Sequence, residues 1–168
     1  INASRTTLTT GAPIINGGSL EGYRVTSGQI SIDGQGLDTS QSDYTDILAR
    51  SVKVNAGIWA NNLKVTAGAN QIDATNSTAT ATTGTGAAPS YAIDTAALGG
   101  MYAGKIILVG TEQGLGVNNA GQLAASSGNV AISSNGMLTN SGTINANGAD
   151  NAVTITTTGV ANSGTISS

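Results

Sequence analysis

The chain contains no cysteine and no histidine. Without thiols there is no disulfide framework, thiolate metal site or sulfur nucleophile, and without imidazole the usual acid/base group at neutral pH is missing. Charged residues make up only 9% of the sequence, far below the roughly one quarter of ordinary globular domains. Six scattered Lys and Arg against nine Asp and Glu cannot form a phosphate-binding stripe, so nucleic acid is not an expected partner. No run approaches the roughly 18 apolar residues of a membrane-spanning helix. Phenylalanine is absent and tryptophan occurs once, at position 59. Any core must therefore be built from aliphatic side chains.

Gly, Thr, Ser, Asn and Ala fill most of the 168 residues, the size of one domain or of a segment of something longer. Such polarity is compatible with disorder, but disorder goes with high net charge and few β-branched residues, and neither holds here. Ile, Val and Thr recur in short alternating runs, the pattern of half-buried strands. The chain begins Ile1-Asn-Ala-Ser-Arg5, without a basic segment, an apolar segment or an initiator Met. This reads as the start of a mature or excised piece with no signal peptide.

One phrase returns three times: Asn119-Ala-Gly-Gln-Leu123, Asn140-Ser-Gly-Thr-Ile144 and Asn162-Ser-Gly-Thr-Ile166. Steps of 21 and 22 residues are too short for a helical-hairpin repeat and fit one coil of a β-solenoid. A second shape, two β-branched residues two apart and then a glycine-marked corner, occurs at Ile30-Ser-Ile32, Val130-Ala-Ile132 and Val153-Thr-Ile155. Glycine at these corners predicts positive φ. The fold class is all-β, a parallel β-helix of single-strand coils about 20–22 residues long. Roughly eight coils at about 4.8 Å spacing predict a rod on the order of 40 Å long.

Two regions break the period. Tyr44 to Gly68 holds the tryptophan and three basic residues, Arg50, Lys53 and Lys64. It reads mostly as strand, with a helical turn as an alternative at Ile47-Leu48-Ala49. Asp73 to Ser90 offers only Ala as an apolar side chain and predicts a protruding loop or hairpin, since it cannot bury a face.

The chemistry-bearing residues admit sharp and bland readings. Asp33, Asp38, Asp43 and Asp46 cluster as in a calcium site or a carbohydrate-cleaving β-helix, but their spacing matches no EF-hand and Asp favours turns. Turns are the reading adopted. The threonine tracts (Thr6-Thr7, Thr9-Thr10, Thr78 to Thr85 and Thr154 to Thr158) are too irregular for an ice-binding hydroxyl array. Gly34-Gln-Gly36 and Gly114-Leu-Gly-Val117 lack the third glycine and the lysine of a phosphate loop and read as corners. Trp59 reads as a cap or packing anchor rather than a sugar-stacking platform. Arg50 pairs with Asp46 if that segment is helical. No catalytic, cofactor-binding or metal-ligating residue is assigned, and no cofactor.

The period-breaking segments carry a family resemblance. Arg5-Thr-Thr-Leu-Thr-Thr-Gly11, Tyr44-Thr-Asp-Ile-Leu-Ala-Arg50, Asn55-Ala-Gly-Ile-Trp-Ala60 and Ala67-Gly-Ala-Asn-Gln-Ile-Asp73 occur in the order found in two-partner secretion exoproteins. Tyr91 to Ile106 and Val109 to Asn118 continue the match, which resembles the haemagglutination-activity domain of filamentous haemagglutinin and contact-dependent growth inhibition proteins.

The resemblance implies a right-handed parallel β-helix with extra-helical strands or a hairpin. Residues 1–125 would form the two-partner secretion domain, with extra-helical insertions near 44–68 and 73–90. Residues 126–168 would be haemagglutinin-type repeats continuing the rod.

The implied function is the secretion and folding module of a large bacterial surface exoprotein, an adhesin or a growth-inhibition toxin carrier. It would be exported by an outer-membrane (type Vb) transporter with POTRA domains. The rest of the protein would meet a host or neighbouring cell. The chain would be secreted, monomeric, non-enzymatic and without a small-molecule substrate; a carbohydrate-binding or polysaccharide-cleaving β-helix is the competing reading. The family's Asn-Pro-Asn motifs are missing, since Pro13 and Pro89 both follow Ala, so no transporter-recognition residue is assigned.

Overall fold

In a computed structural model describing residues 3–168, the chain winds into a three-faced parallel β-helix. Ile1-Asn2, where the reading of an excised start falls, lies outside the described residues. β1 (Arg5–Thr9) lies in the rod, and β2 (Ala12–Asn16) and β3 (Ser19–Val25) leave it. β4 (Gln29–Ile32), β5 (Leu37–Asp38) and β6 (Tyr44–Ala49) form a coil, followed by β7 (Ser51–Val54) and the long β8 (Gly57–Ala67). β9 (Asn70–Asp73) and β10 (Ala79–Ala81) leave again, and β11 (Ile93–Thr95) and the long β12 (Gly100–Gly110) resume. Two more coils are β13 (Val117–Asn119), β14 (Gln122–Ala125) and β15 (Val130–Ser134), then β16 (Met137–Asn140), β17 (Thr143–Ala146) and β18 (Val153–Thr156). β19 (Gly159–Asn162) and β20 (Thr165–Ser167) begin another.

Parallel pairing sorts these strands onto three faces. The first runs β4-β7-β11-β13-β16-β19. The second runs β5, the first halves of β8 and β12, then β14, β17 and β20. The third runs β1, β6, the second halves of β8 and β12, then β15 and β18. Six strands per face at about 4.8 Å give a rod of roughly 24 Å, shorter than the sequence predicts. The difference is the chain that leaves the stack between Ala12 and Val25 and between Asn70 and Ser90.

Alternation sends one side chain in two to the lumen, where like stacks on like. Ile58, Met101, Leu123 and Ile144 form one buried ladder and Val65, Leu108 and Ile132 another. Each fully buried aliphatic contributes roughly 1.5–3 kcal/mol. On the first face, the inward position two residues after Ile30, Val52, Ile93, Val117, Leu138 and Val160 changes character along the rod. It reads Ile32, Val54, Thr95, then Asn119, Asn140 and Asn162. The repeated phrase is therefore a buried corner of stacked amides.

Positive φ, expected at the glycine corners, is found at Gly34, Gly36 and Gly114 but not at Gly136 or Gly159. The glycines of the repeated phrase, Gly121, Gly142 and Gly164, also lack positive φ. There a Cβ would stand 2.1, 2.0 and 2.0 Å from the carbonyl oxygens of Gly99, Gly121 and Gly142 respectively. Close approach of successive coils excludes a side chain at these positions.

One expectation for the broken period needs correction. Tyr44 to Gly68 is not an insertion: β6, β7 and β8 pair in parallel within all three faces. The segment is strand with no helical turn. Ile47, Leu48 and Ala49 are consecutive apolar residues because β6 is buried on both sides. Ile47 enters the lumen, whereas Leu48 packs outside with Val25 and Ile72.

The 73–90 region does protrude, and Ala79–Ala81 pairs antiparallel with β9 as a hairpin. It is joined by β2 and β3, a departure the period did not signal, in a four-stranded antiparallel sheet ordered β10-β9-β3-β2. Gly22 lets β3 approach β9, since a Cβ there would lie 2.0 Å from the Ile72 carbonyl oxygen.

Candidate functional site

Both excursions leave the rod at the corner between its third and first faces, and long-range polar contacts hold them there. Arg50, at the turn from β6 to β7, forms a fork with Glu112 through Nε (3.1 Å) and Nη2 (2.7 Å). Its remaining Nη1 donates to the Thr85 carbonyl at 2.7 Å, with longer contacts to Gly86 and Ala87. One buried guanidinium thus ties the coil before the insertion, the coil after it and the returning loop. The shared hydrogen bonds raise the Arg50 pKa and lower that of Glu112, against the opposing effect of burial.

A second cluster fastens the hairpin tip. Buried Asp46 pairs with Arg5 and accepts from Asn76 Nδ2 at 3.0 Å, and Asn76 Oδ1 accepts from Thr66 Oγ1 at 2.7 Å. Asn76 adopts a left-handed φ of 53°, which asparagine tolerates better than most residues. Asp73 organises that turn, accepting from the N–H groups of Ser77 (2.8 Å) and Thr78 (2.6 Å) and the Thr75 hydroxyl (2.6 Å). Burial would raise this carboxyl, but the Thr75 hydroxyl and the Thr78, Ser77 and Thr75 N–H groups hold it down at about 2.

The expected Arg50–Asp46 pair does not form. In an extended strand residues four apart are separated by roughly 13 Å, and the two ions find distant partners instead. The other aspartates disperse. Asp33 accepts from Asn55 at 2.7 Å. Asp38 accepts from the Ser40 N–H at 3.0 Å, and hydrogen bonds from the Ser40 side chain and backbone lower its pKa. Asp43 uses its carbonyl to receive the Asn62 amide at 2.8 Å. Among the described residues no three His, Cys, Asp or Glu groups come together in a way that would hold a metal ion.

A broad recess lies on the second face. Trp59 and Tyr102, aligned in register on β8 and β12, stack with ring centroids 6.0 Å apart and planes at 17°. Trp59 packs against Tyr102 and keeps 42% of its surface exposed. A recess of about 580 Å³ runs from these rings past Ala124 to Asn145 and Asn147. The partners Glu112, Arg5, Asn76 and Tyr102 were not singled out in the sequence. They lie 62, 41, 30 and 43 residues from Arg50, Asp46, Asp46 and Trp59 respectively, beyond any local spacing rule.

Comparison with known proteins agrees with this architecture. The chain is 51% identical over 167 residues to "Toxin CdiA" of Yersinia pestis, covering 99% of this chain and 5% of that protein. It is 48% identical over 147 residues to "tRNA nuclease CdiA-2" of Burkholderia pseudomallei (strain 1026b), covering 87% of this chain and 5% of that one. The chain thus spans about one twentieth of the length of these curated relatives. The crystal structure of the filamentous hemagglutinin secretion domain superposes with a TM-score of 0.77 at 29% identity, covering 99% of this chain and 60% of that one. The profile of the TPS secretion domain matches residues 1–145, running past the boundary expected near 125. Taken with the three-faced rod and its side sheet, that match over most of the length means the chain belongs to the TPS secretion domain family.

Proposed function

We propose that this chain begins the folding of a very large exoprotein outside the cell and is handed across the outer membrane by a two-partner transporter with POTRA domains. The observation that carries the reading is the stacking itself: on each of the three faces successive coils pair in parallel, in a chain whose residues 1–145 match the TPS secretion domain. Each coil emerging from the transporter would pair on the edge of the coil before it, and its burial would bias threading outward.

On this reading the chain is monomeric and performs no catalysis, serving a cell-surface adhesin or growth-inhibition toxin carrier whose other regions meet the target cell. Calcium-dependent binding or cleavage of a polyuronate would overturn that part. The continuation of residues 126–168 as haemagglutinin-type repeats belongs to the same proposal.

The templating step is tested with Ile132→Asp in the full exoprotein expressed with its transporter. Ile132 is buried in the lumen, so the carboxylate has no partner there. The expected result is a loss of surface-displayed protein of about tenfold or more, with protease sensitivity beginning at that coil. Secretion and protease resistance equal to wild type would sink the idea.

A further inference from the structure

We propose that the recess beside Trp59 and Tyr102 is a binding site for an uncharged oligosaccharide. The aromatic wall is set by neighbouring glycines. A Cβ on Gly57 would lie 2.4 Å from the Trp59 ring, and one on Gly100 would lie 2.7 Å from that of Tyr102. The two rings therefore lean over bare backbone, and packing against it holds their orientation. Register places Ala124 on the coil after Tyr102 and Asn145 on the one after that. The small Ala124 stands between an aromatic wall and an amide wall whose backbones are about 10 Å apart.

The lining selects the chemical class. None of the residues around the recess carries a charge, so it offers nothing to a polyuronate, a sulfated glycan or a phosphate. Gln122 uses its side-chain oxygen to accept from the Tyr102 hydroxyl at 3.3 Å, and among the described residues no acceptor takes its amide protons. Asn61 donates to the Ser40 and Ser42 carbonyls at 2.8 Å each, which turns its remaining capacity to acceptance. A pyranose combines an apolar C–H face with a rim of hydroxyls that both donate and accept, and so matches a flat aromatic surface bordered by amides.

The same face disfavours a peptide. β8, β12, β14 and β17 are each paired on both sides, so no free strand edge offers main-chain hydrogen bonds along the recess. Recognition must come from side chains and ring faces alone. The volume also falls within the usual range of ligand sites.

Trp59 is the only tryptophan in the chain, so its fluorescence reports on this recess directly. The 168-residue chain is titrated with cellohexaose, chitohexaose and maltoheptaose, each up to about 10 mM, with polygalacturonate as an anionic control. At least one neutral sugar is expected to shift the emission saturably, and polygalacturonate is not. Tyr102→Ala should weaken that binding about tenfold. Gln122→Ala, at an exposed position that leaves the rod intact, should weaken it severalfold. Circular dichroism and melting of each variant keep the comparison valid should Tyr102→Ala unfold. Absence of a saturable response to all three sugars overturns the proposal, as does an affinity unchanged in both variants. Saturable binding of an uncharged Gly/Ser/Asn peptide without any sugar response overturns it too and assigns the recess to a polypeptide.

Discussion

The side-chain amide of Asn119 donates to the side-chain oxygen of Asn140, one coil further on, at 2.8 Å. Asn140 repeats the contact to Asn162 at 2.7 Å. Each amide also reaches backbone oxygens near its own corner and on the next coil, as Asn119 does with Gly121 (3.4 Å) and Thr143 (3.2 Å). The ladder satisfies buried donors in a lumen otherwise lined by aliphatic side chains, and it links successive coils in one register.

Asn140→Ala removes the acceptor of Asn119 and the donor to Asn162 inside a dry corner. A loss of about 2–3 kcal/mol in urea unfolding is expected, because buried amide groups are left without partners. Asn162→Ala, at the exposed end, should cost less than about 1 kcal/mol. Equal costs at the two sites would show that burial does not set the ladder's contribution.

At the head of the ladder, Thr95 stands in register with Asn119, and both Thr95 Oγ1 and Asn119 Oδ1 are buried without a partner. Thr95→Asn supplies an amide that extends the ladder by one coil. The variant should be more stable by about 0.5–1.5 kcal/mol, read as a higher melting temperature. A lower melting temperature would mean that Val54, the neighbour on the other side, does not tolerate the longer side chain.

Glycines of two kinds should separate cleanly. Gly142→Ala forces a Cβ to within 2.0 Å of the Gly121 carbonyl oxygen and should cost about 3 kcal/mol or more. Gly114→Ala meets open space at a φ of +81° and should cost only about 1–2 kcal/mol, from backbone strain alone. Chemical unfolding of both variants checks the order.

Arg50→Ala leaves Glu112 unpaired and three loop carbonyls without their donor. A cost of about 2–3 kcal/mol is expected, with faster proteolysis confined to residues 82–90. Arg50→Lys keeps the charge but loses the fork, and should recover only part of the protection. Unchanged cleavage of that loop in Arg50→Ala would show that the ion pair does not secure it.

Asp73 governs an acid limit. Its folded pKa of about 2 lies below the ordinary 3.8, so its contribution to stability is fully present above about pH 4 and is lost as pH falls toward 2. Asp73→Asn should therefore be less stable than the parent chain at pH 6, with the gap narrowing between pH 4 and pH 2. A gap independent of pH would contradict the assignment. NMR titration of the Asp73 carboxyl provides a direct check.

The coil was legible because a solenoid repeats its chemistry locally. Asn119, Asn140 and Asn162 mark the same corner of successive late coils, and pairs such as Val130 and Ile132 alternate on the scale of a single strand. Local sequence thus determined the strand type, the period and the aliphatic lumen. It misread Gly136, where a Cβ would lie 2.3 Å from the Leu115 backbone, because a glycine kept for coil-to-coil approach looks the same as one kept for positive φ. It left a helical turn open at Ile47-Leu48-Ala49, because burial on both sides erases alternation. The side sheet, the Arg50–Glu112 fork and the Trp59–Tyr102 wall depend on which coil lands on which, a sum over all intervening insertions. Only the stacked chain sets those distances, since register is carried by backbone pairing across coils and not by the spacing of residues along any one of them.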